Sequence, residues 1–235
     1  EKISDSRVLR LIEAYLTQGV LDELKAWTPE VGTPQGAVIS PLLANIYLDP
    51  LDRLMAERGI EMVRYADDFI LLCRSRVEAE QALQGVEEWT RAFGLTLHPE
   101  KTQIVHAITE GFDFLGYHFE NRKKWPRTKS LKRLKDTIRA KTRRGNGYSL
   151  ATIIADINRT LIGWFGYFKH SHRYTFDPLD KWIRMRLRSI MRRRAGRKGR
   201  GRGGDHQRWP NAFFAKRGLF SLRLASAAAR QSARR

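Results

Sequence analysis

Two adjacent carboxylates, Asp67 and Asp68, are the residues of this sequence best placed to do chemistry. They follow Tyr65-Ala66 and lie between short apolar runs at 60–65 and 69–73, which predicts the tip of a β-hairpin. Paired carboxylates repel each other unless a cation is near, and Mg²⁺ prefers a few carboxylates together with substrate phosphates. Two such ions about 4 Å apart can activate an attacking 3′-hydroxyl and stabilise a leaving pyrophosphate. The alternative is an ordinary turn, where Asp is common.

A second motif, residues 32–41, contains two glycines and two prolines and leads into a helix predicted to begin at Ser40-Pro41. Backbone N–H groups at such a loop and helix start can face phosphates. A purely structural turn into the helix is the alternative.

The elements around these motifs alternate between helix and strand. A helix after Ser4 or Asp5, a hairpin at 60–73, a helix opened by the Ser75–Glu78 capping box, and strands at 102–108 and 112–119 predict an α+β layer. No strand pattern follows Phe119, so we expect a helical second domain. We predict domains at 1–122 and 123–225 and a basic, frayed tail at 226–235, with a mobile Arg/Gly segment at 192–204.

Charge divides the chain in the same way. The 235 residues carry a net charge of +19, but residues 1–120 carry −9 and residues 121–235 carry +28. Such a cationic excess favours a polyanion, and nucleic acid is the first candidate. A membrane surface is a poor alternative, because the basic helices lack a broad apolar face.

The basic residues of the second half predict strong, salt-dependent and largely sequence-independent phosphate contacts. A solvated charged surface is the alternative. The predicted RNA-binding residues are Lys132, Arg133, Lys135, Arg139, Lys141, Arg143, Arg144, Arg159, Lys169, Arg184, Arg188, Arg192 and Arg193.

Several motifs together resemble reverse transcriptases, and in particular the palm of the type encoded by bacterial group II introns. They occur in the family's order: Thr33-Pro34-Gln35-Gly36, Ser40-Pro41-Leu42-Leu43-Ala44-Asn45, Tyr65-Ala66-Asp67-Asp68, Gly94-Leu95-Thr96-Leu97 with Lys101-Thr102, and Phe114-Leu115-Gly116-Tyr117.

The resemblance implies a role for each matching position. Asp67 and Asp68 match the catalytic, Mg²⁺-binding pair. Residues matching the nucleotide and template pocket are Gln35, Gly36, Tyr65, Ala66 and Lys101. The segment Phe114-Leu115-Gly116 matches the one that holds the primer end, although a strand with a close-packing glycine would look the same.

One part of the family's pattern has no counterpart here. Family members have fingers and an earlier palm strand that supplies a further metal-binding aspartate, whereas this chain begins inside the following helix. Asp5 and Asp22 are in the wrong context to replace it. We therefore expect an incomplete two-metal site and weak or absent polymerase activity by this chain alone. A second copy or an N-terminal fingers/palm fragment is a further expected partner, and the fragment could restore polymerisation.

The second half resembles the thumb-like maturase domain of the same family. The resemblance rests on Ser149-Leu150, Asn158-Arg159, Gly163–Phe168 and Phe176–Ile183. It implies an all-α domain that binds intron RNA and assists splicing. The implied partners are group II intron RNA, an RNA template with a DNA primer, dNTPs and a DNA target.

A single cysteine, Cys73, excludes an internal disulfide framework and the Cys-paired nuclease module of many family members. It favours a reducing, intracellular compartment. The resemblance to bacterial group II intron proteins implies a cytoplasmic location, with the protein on the nucleoid when bound to DNA. The leading hypothesis is an RNA-directed DNA polymerase and intron maturase. The alternative is a non-catalytic RNA-binding splicing factor that keeps the palm as a scaffold.

Overall fold

The structure is a computed structural model, and it describes residues 3–16, 20–22, 25–27, 39–201 and 203–232. The chain forms two compact units that divide between Ile104 and Val105. The domain limits at 122 and 225 stay predictions. In the described part of the chain, no helix is both long and apolar enough to cross a membrane.

The first unit is mixed helix and strand, as predicted. Its elements are α1 (Ser6–Leu16), β1 (Val20–Asp22), β2 (Lys25–Trp27), α2 (Ser40–Glu57), β3 (Glu61–Tyr65), β4 (Asp68–Leu72) and α3 (Arg76–Ala92). The strands form two antiparallel hairpins, β1–β2 and β3–β4. The predicted hairpin between 60 and 73 is therefore confirmed.

The core of this unit holds the β3–β4 hairpin against two helices. Leu51 and Met55 of α2 are fully buried and meet Val86 and Trp89 of α3. The Ser75 cap is confirmed, because its hydroxyl accepts the backbone N–H of Glu78 at 3.1 Å, whereas the Glu78 carboxylate accepts the backbone N–H of Arg74 and not that of Ser75. At the start of α2 the cap position is instead Ile39, which makes no side-chain cap.

The second unit contains a three-stranded sheet and a helical bundle. Its elements are β5 (Phe112–Phe114), β6 (Tyr117–Glu120), β7 (Lys123–Pro126), α4 (Thr128–Lys141), α5 (Leu150–Phe168), a 3₁₀ turn (Arg173–Thr175), α6 (Phe176–Arg194), α7 (Asp205–Arg208), α8 (Asn211–Ala215) and α9 (Leu222–Ser232). The α+β class is confirmed, but β7 lies beyond Phe119, where no strand was expected.

A buried carboxylate joins α6 to α9. Asp180, which is 3% exposed, accepts the Ser221 hydroxyl at 2.7 Å and the backbone N–H groups of Leu222 and Arg223 at 3.0 and 3.2 Å. It therefore satisfies the first amides of α9, which have no partner within that helix. The predicted frayed tail is consequently wrong for residues 226–232, which continue α9 and bury Ser226.

Two strand predictions fail for reasons of pairing. Residues 102–108 form no strand, because the segment pairs with no other strand and closes into a turn in which Glu110 accepts the backbone N–H of His106 at 2.7 Å. The predicted strand 112–119 is two strands. Leu115 and Gly116 have φ of 45° and 79°, so the chain reverses there in a tight hairpin.

The Arg/Gly segment is partly anchored within the described residues. Gly201 is buried and donates its N–H to the Ser189 hydroxyl at 3.0 Å. A Cβ at this position would lie 2.5 Å from the Arg188 Cβ, so only glycine fits against α6 here. The predicted mobility of residues 192–204 is therefore wrong at Gly201, which is fixed against α6.

Replacement of Asp180 tests the α6–α9 connection. We expect Asp180→Ala to lower the free energy of unfolding by about 2–4 kcal/mol, because buried amides lose their acceptor. Asp177→Ala is the matched control on the same helix; Asp177 is 39% exposed and pairs with Lys181, so its loss should cost less than about 1 kcal/mol. Equal losses in urea unfolding would contradict this role for Asp180.

Candidate functional site

The two carboxylates lie at the tip of the β3–β4 hairpin. Tyr65 pairs with Asp68, so the turn consists of Ala66 and Asp67, and Asp68 begins β4. Ala66 has a φ of 54°, a left-handed conformation that costs a non-glycine residue about 1–2 kcal/mol. A strained turn that persists must be held by its surroundings.

Arg64 provides that hold. Its guanidinium donates to the Ala66 carbonyl oxygen at 2.9 Å, immediately before Asp67 in the chain. The same group makes a two-pronged ion pair with Asp52 of α2, with N–O distances of 2.8 and 2.5 Å, and also donates to the Asn45 Oδ1 at 2.9 Å. The Arg64 side chain is only 11% exposed. The hydrogen bond to the Asp52 carboxylate raises the pKa of Arg64, so this cation stays charged.

The hairpin has two unlike faces. Met62, Phe69 and Leu71 pack against the core of the first unit, whereas Val63 and Tyr65 are 40% and 68% exposed. Alternation along a strand explains this division, because successive side chains point to opposite faces. Asp67 and Asp68 are both exposed, and neither carboxylate makes a hydrogen bond or ion pair with another described residue.

These carboxylates fit Mg²⁺ in donor type but not in number. Two hard oxygen ligands on a fixed turn suit this ion when substrate phosphates complete the shell. Among the residues that the structure describes, no group of three His, Cys, Asp or Glu could hold a metal ion. Asp5 is engaged elsewhere, since it accepts the backbone N–H of Arg7 and caps α1.

The other predicted pocket residues are placed only in part. Gln35 and Gly36, with the rest of Thr33–Gly36, fall outside the described residues. Tyr65 and Ala66 flank the carboxylate pair, and Lys101 is exposed on the turn after Pro99. The roles of all five in binding nucleotide or template stay predictions.

The Phe114-Leu115-Gly116 segment belongs to the second unit. The Leu115 carbonyl accepts the Tyr167 hydroxyl at 2.6 Å. The Gly116 carbonyl accepts the Arg127 backbone N–H at 2.9 Å and the Ser130 hydroxyl at 3.1 Å. These contacts fix the turn on α4 and α5, and the φ of 79° at Gly116 is what favours glycine there. The primer-binding role stays a prediction.

The predicted RNA-binding residues divide by what their charges meet. Seven carry cations that meet no acidic or carbonyl partner among the described residues: Lys132, Arg133, Lys135, Arg143, Arg144, Lys169 and Arg193. All but Lys135, which is half-buried, are well exposed. These seven can offer a full positive charge to phosphate.

The remaining six cations make ion pairs or hydrogen bonds within the unit. Lys141 and Arg159 both pair with Asp156, at 2.8 and 3.2 Å. The paired cations also include Arg139 with Asp136, Arg184 with Asp180, and Arg192 with Asp205. The sixth is Arg188.

Arg188 corrects the prediction most clearly. It is 2% exposed, donates to the Trp209 carbonyl at 2.9 Å and to the Asn211 Oδ1 at 2.8 Å, and stacks over Phe214. A guanidinium in this position holds α6 to α7 and α8, and it is too buried to meet RNA.

Sequence reasoning missed the residues that hold the site. Arg64 and Asp52 looked like ordinary strand and helix charges, and Asn45 counted only as a motif residue. The sequence did carry one signal for Arg64. It alternates with Met62 on the core-facing side of the predicted strand, and a charge in such a position needs a partner. Arg186 was also missed; it donates to the carbonyls of Arg139 and Thr142 at the end of α4.

Comparison with known families agrees with this arrangement. Residues 3–119 match the family described as "Reverse transcriptase (RNA-dependent DNA polymerase)". Residues 131–209 match the family described as "Group II intron, maturase-specific domain". The fold and the two matches define a reverse transcriptase-type chain that carries a maturase domain. The chain thus belongs to the group II intron-encoded reverse transcriptases and maturases, as the motifs predicted.

Three relatives illustrate the similarity. The chain is 29% identical over 181 residues to the "uncharacterized 91 kDa protein in cob intron" of Schizosaccharomyces pombe, covering 52% of this chain and 22% of that protein. It is 31% identical over 153 residues to protein YkfC of Escherichia coli, covering 49% and 39%. It is 38% identical over 69 residues to group II intron-encoded protein LtrA of Lactococcus lactis, covering 29% and 12%. The chain thus spans well under half the length of each.

Replacement of Arg64 tests the support of the turn. We expect Arg64→Ala to destabilise the protein by about 1–3 kcal/mol, because it removes a charged donor from an ion pair that is largely screened from water. Arg53→Ala is the matched control: Arg53 pairs with Asp49 at 3.0 Å but is 72% exposed, so we expect less than about 1 kcal/mol. Thermal unfolding of both variants measures the difference, and an equal cost would show that Arg64 is an ordinary surface charge.

Proposed function

We propose that this chain supplies the metal-binding carboxylate pair and the RNA-binding domain of a group II intron reverse transcriptase and maturase. The observation that carries the proposal is the pair Asp67-Asp68, exposed and without a partner among the described residues, on a turn that Arg64 holds against α2. A strongly basic maturase domain follows in the same chain.

In this proposal, Asp67 and Asp68 hold Mg²⁺ by their carboxylate oxygens. When bound, the ion would supply Lewis-acid stabilisation of the phosphoryl group under attack. Ala66 and Arg64 fix the direction in which the carboxylates leave the turn. Tyr65, Lys101, Gln35 and Gly36 are proposed to line the nucleotide and template pocket, and Phe114–Gly116 to contact the primer.

The reaction proposed is RNA-directed synthesis of DNA from dNTPs on a DNA primer. Two carboxylates do not make a complete two-metal cage, so we propose that this chain alone extends a primer weakly or not at all. A fragment carrying fingers and the earlier palm strand would complete the site, and a second copy of this chain is the alternative partner.

The basic unit is proposed to bind folded intron RNA and to assist splicing. Its cations without an acidic or carbonyl partner among the described residues include Lys132 and Arg133 on α4 and Arg193 at the end of α6. Their contacts with phosphate would release counterions, which makes the binding steeply dependent on salt. With intron RNA and a DNA target as partners in a bacterial host, the protein would work in the cytoplasm and at the nucleoid.

Primer extension tests the catalytic half of the proposal. We expect Asp67→Asn/Asp68→Asn to reduce extension at least about 100-fold on an RNA template with Mg²⁺, because metal-bound charge stabilisation is worth several kcal/mol. The assay uses the chain with a separately supplied N-terminal fingers/palm fragment, and the chain alone as the second arm.

Glu87→Gln/Glu88→Gln is the matched control, since it removes an exposed adjacent acidic pair from α3 of the same unit. It should leave extension unchanged. If the Asp67/Asp68 variant still extends primers, the metal-binding role fails. If no pairing with a fragment gives extension and splicing assistance survives the double substitution, the non-catalytic splicing factor is the correct function.

Salt titration tests the RNA-binding half. We expect Lys132→Gln/Arg133→Gln to weaken binding of a structured intron RNA and to lower the slope of log K against log salt by about 1–2, because each phosphate that a cation neutralises adds somewhat under one unit to that slope. The control, Arg53→Gln/Arg91→Gln, removes two exposed cations from the first unit. An equal change of slope in both double variants would mean that binding follows net charge alone.

A further inference from the structure

The second unit carries a group of aromatic rings and cations on β7 and on the connection between α5 and α6. Trp125 of β7, His172 and Tyr174 form a continuous row, with ring centroids 5.7 Å apart for Trp125–His172 and 5.0 Å for His172–Tyr174. Tyr174 is 65% exposed, and the other two rings are half-buried. We call these three residues the aromatic row.

Backbone contacts explain why the row forms. The connection between α5 and α6 runs along β7, where the His172 backbone N–H donates to the Lys124 carbonyl at 2.8 Å. The 3₁₀ turn that follows is closed by the Thr175 backbone N–H, which donates to the His172 carbonyl at 2.9 Å. A strand edge and a loop are thereby joined, and their rings stand side by side.

Cations surround the row. The Arg173 guanidinium lies 4.9 Å from the centre of the Tyr174 ring and donates to its hydroxyl at 3.0 Å. Lys123, Arg173 and Arg230 are all close enough to His172 to lower its pKa, after burial, which is the largest cause. The lowered pKa favours the uncharged imidazole, whose ring stands beside Trp125 and Tyr174.

One acidic residue offsets part of this charge. Glu120 is opposite Lys123 in the β6–β7 register, and its carboxylate lies 3.6 Å from the His118 Nε2. Its single negative charge stands against the three cations Lys123, Arg173 and Arg230. The row thus combines exposed aromatic surface with an excess of positive charge. This combination suits a strand of unpaired nucleotides, whose bases stack while its phosphates meet cations.

We propose that the aromatic row binds unpaired nucleotides, with a base stacked on Tyr174 and the adjoining phosphates on Arg173, Lys123 and Arg230. The proposal rests on the proposed function, in that it names which part of a nucleic acid this surface takes. It differs from Lys132 and Arg133 of α4, which are exposed cations with no ring contact among the described residues and so suit paired regions equally well.

Binding of short oligonucleotides to the 235-residue chain tests the row. We expect Tyr174→Ala to weaken binding of a 12-nucleotide oligo(U) about 5- to 100-fold, the usual effect of losing one base–aromatic stack. Binding of a 12-base-pair RNA duplex should change less than about twofold, because paired bases are not free to stack on the protein. Tyr174→Phe should keep single-strand affinity.

Tyr148→Ala is the matched control, because Tyr148 is 67% exposed in the same unit but lies outside the row. It should leave oligo(U) binding unchanged. A Tyr174→Ala variant that binds oligo(U) like the parent, or a Tyr148→Ala variant that loses as much, overturns the proposal. Unchanged circular dichroism checks that both variants fold.

Binding of a DNA oligonucleotide, oligo(dT), distinguishes a site for unpaired RNA from a site for any unpaired strand. Equal loss on oligo(U) and oligo(dT) assigns the row to any unpaired strand, and loss on oligo(U) alone assigns it to RNA; both outcomes support it. If Lys132→Gln/Arg133→Gln weakens duplex binding while Tyr174→Ala changes nothing, the row fails and the proposed function stands. A chain that binds none of these nucleic acids overturns both.

Discussion

The Arg64 guanidinium ties the turn that carries the two carboxylates to α2, in addition to the apolar packing of the β3–β4 hairpin. Arg64 is largely buried on the core-facing side of β3, and a buried cation must find partners or lose its solvation energy uncompensated. It finds Asp52 and Asn45 on α2 and the carbonyl of Ala66 at the turn. Arg64 thereby links the strained turn to α2 by an ion pair and hydrogen bonds. The position of Asp67 and Asp68 depends on this link, because both residues follow directly from the turn.

In the second unit, too, buried cations have partners within the fold, although the excess of positive charge is much larger. Arginines that are enclosed by the fold serve as connectors: Arg188 joins α6 to α7 and α8, and Arg186 satisfies carbonyls at the end of α4. Cations such as Lys132 and Arg133 are exposed and meet no acidic or carbonyl partner among the described residues. The net charge of +28 over residues 121–235 therefore combines cations that hold the fold together with cations whose charge is not neutralised within it.

Local patterns predicted local structure well. The β3–β4 hairpin and the Ser75 cap follow from alternation and a short-range hydrogen bond, both of which depend on residues close in sequence. The strand expected at 102–108 failed because alternation does not reveal whether a partner strand exists. The division of 112–119 depended on Leu115, a non-glycine residue with positive φ, for which the sequence carried only the neighbouring Gly116 as a signal.

The sequence by itself determined the family, the order of the two domains and the position of the carboxylate pair, because motif order and turn chemistry are read along the chain. Tertiary structure alone decided which charges are free. Arg184, Arg188 and Arg193 look alike on one helix, yet one pairs with Asp180, one is buried and one is exposed. It also decided that Trp125 meets His172, nearly fifty residues later, and so joins the row that His172 forms with Tyr174, since contact between distant segments depends on how sheet and helices pack.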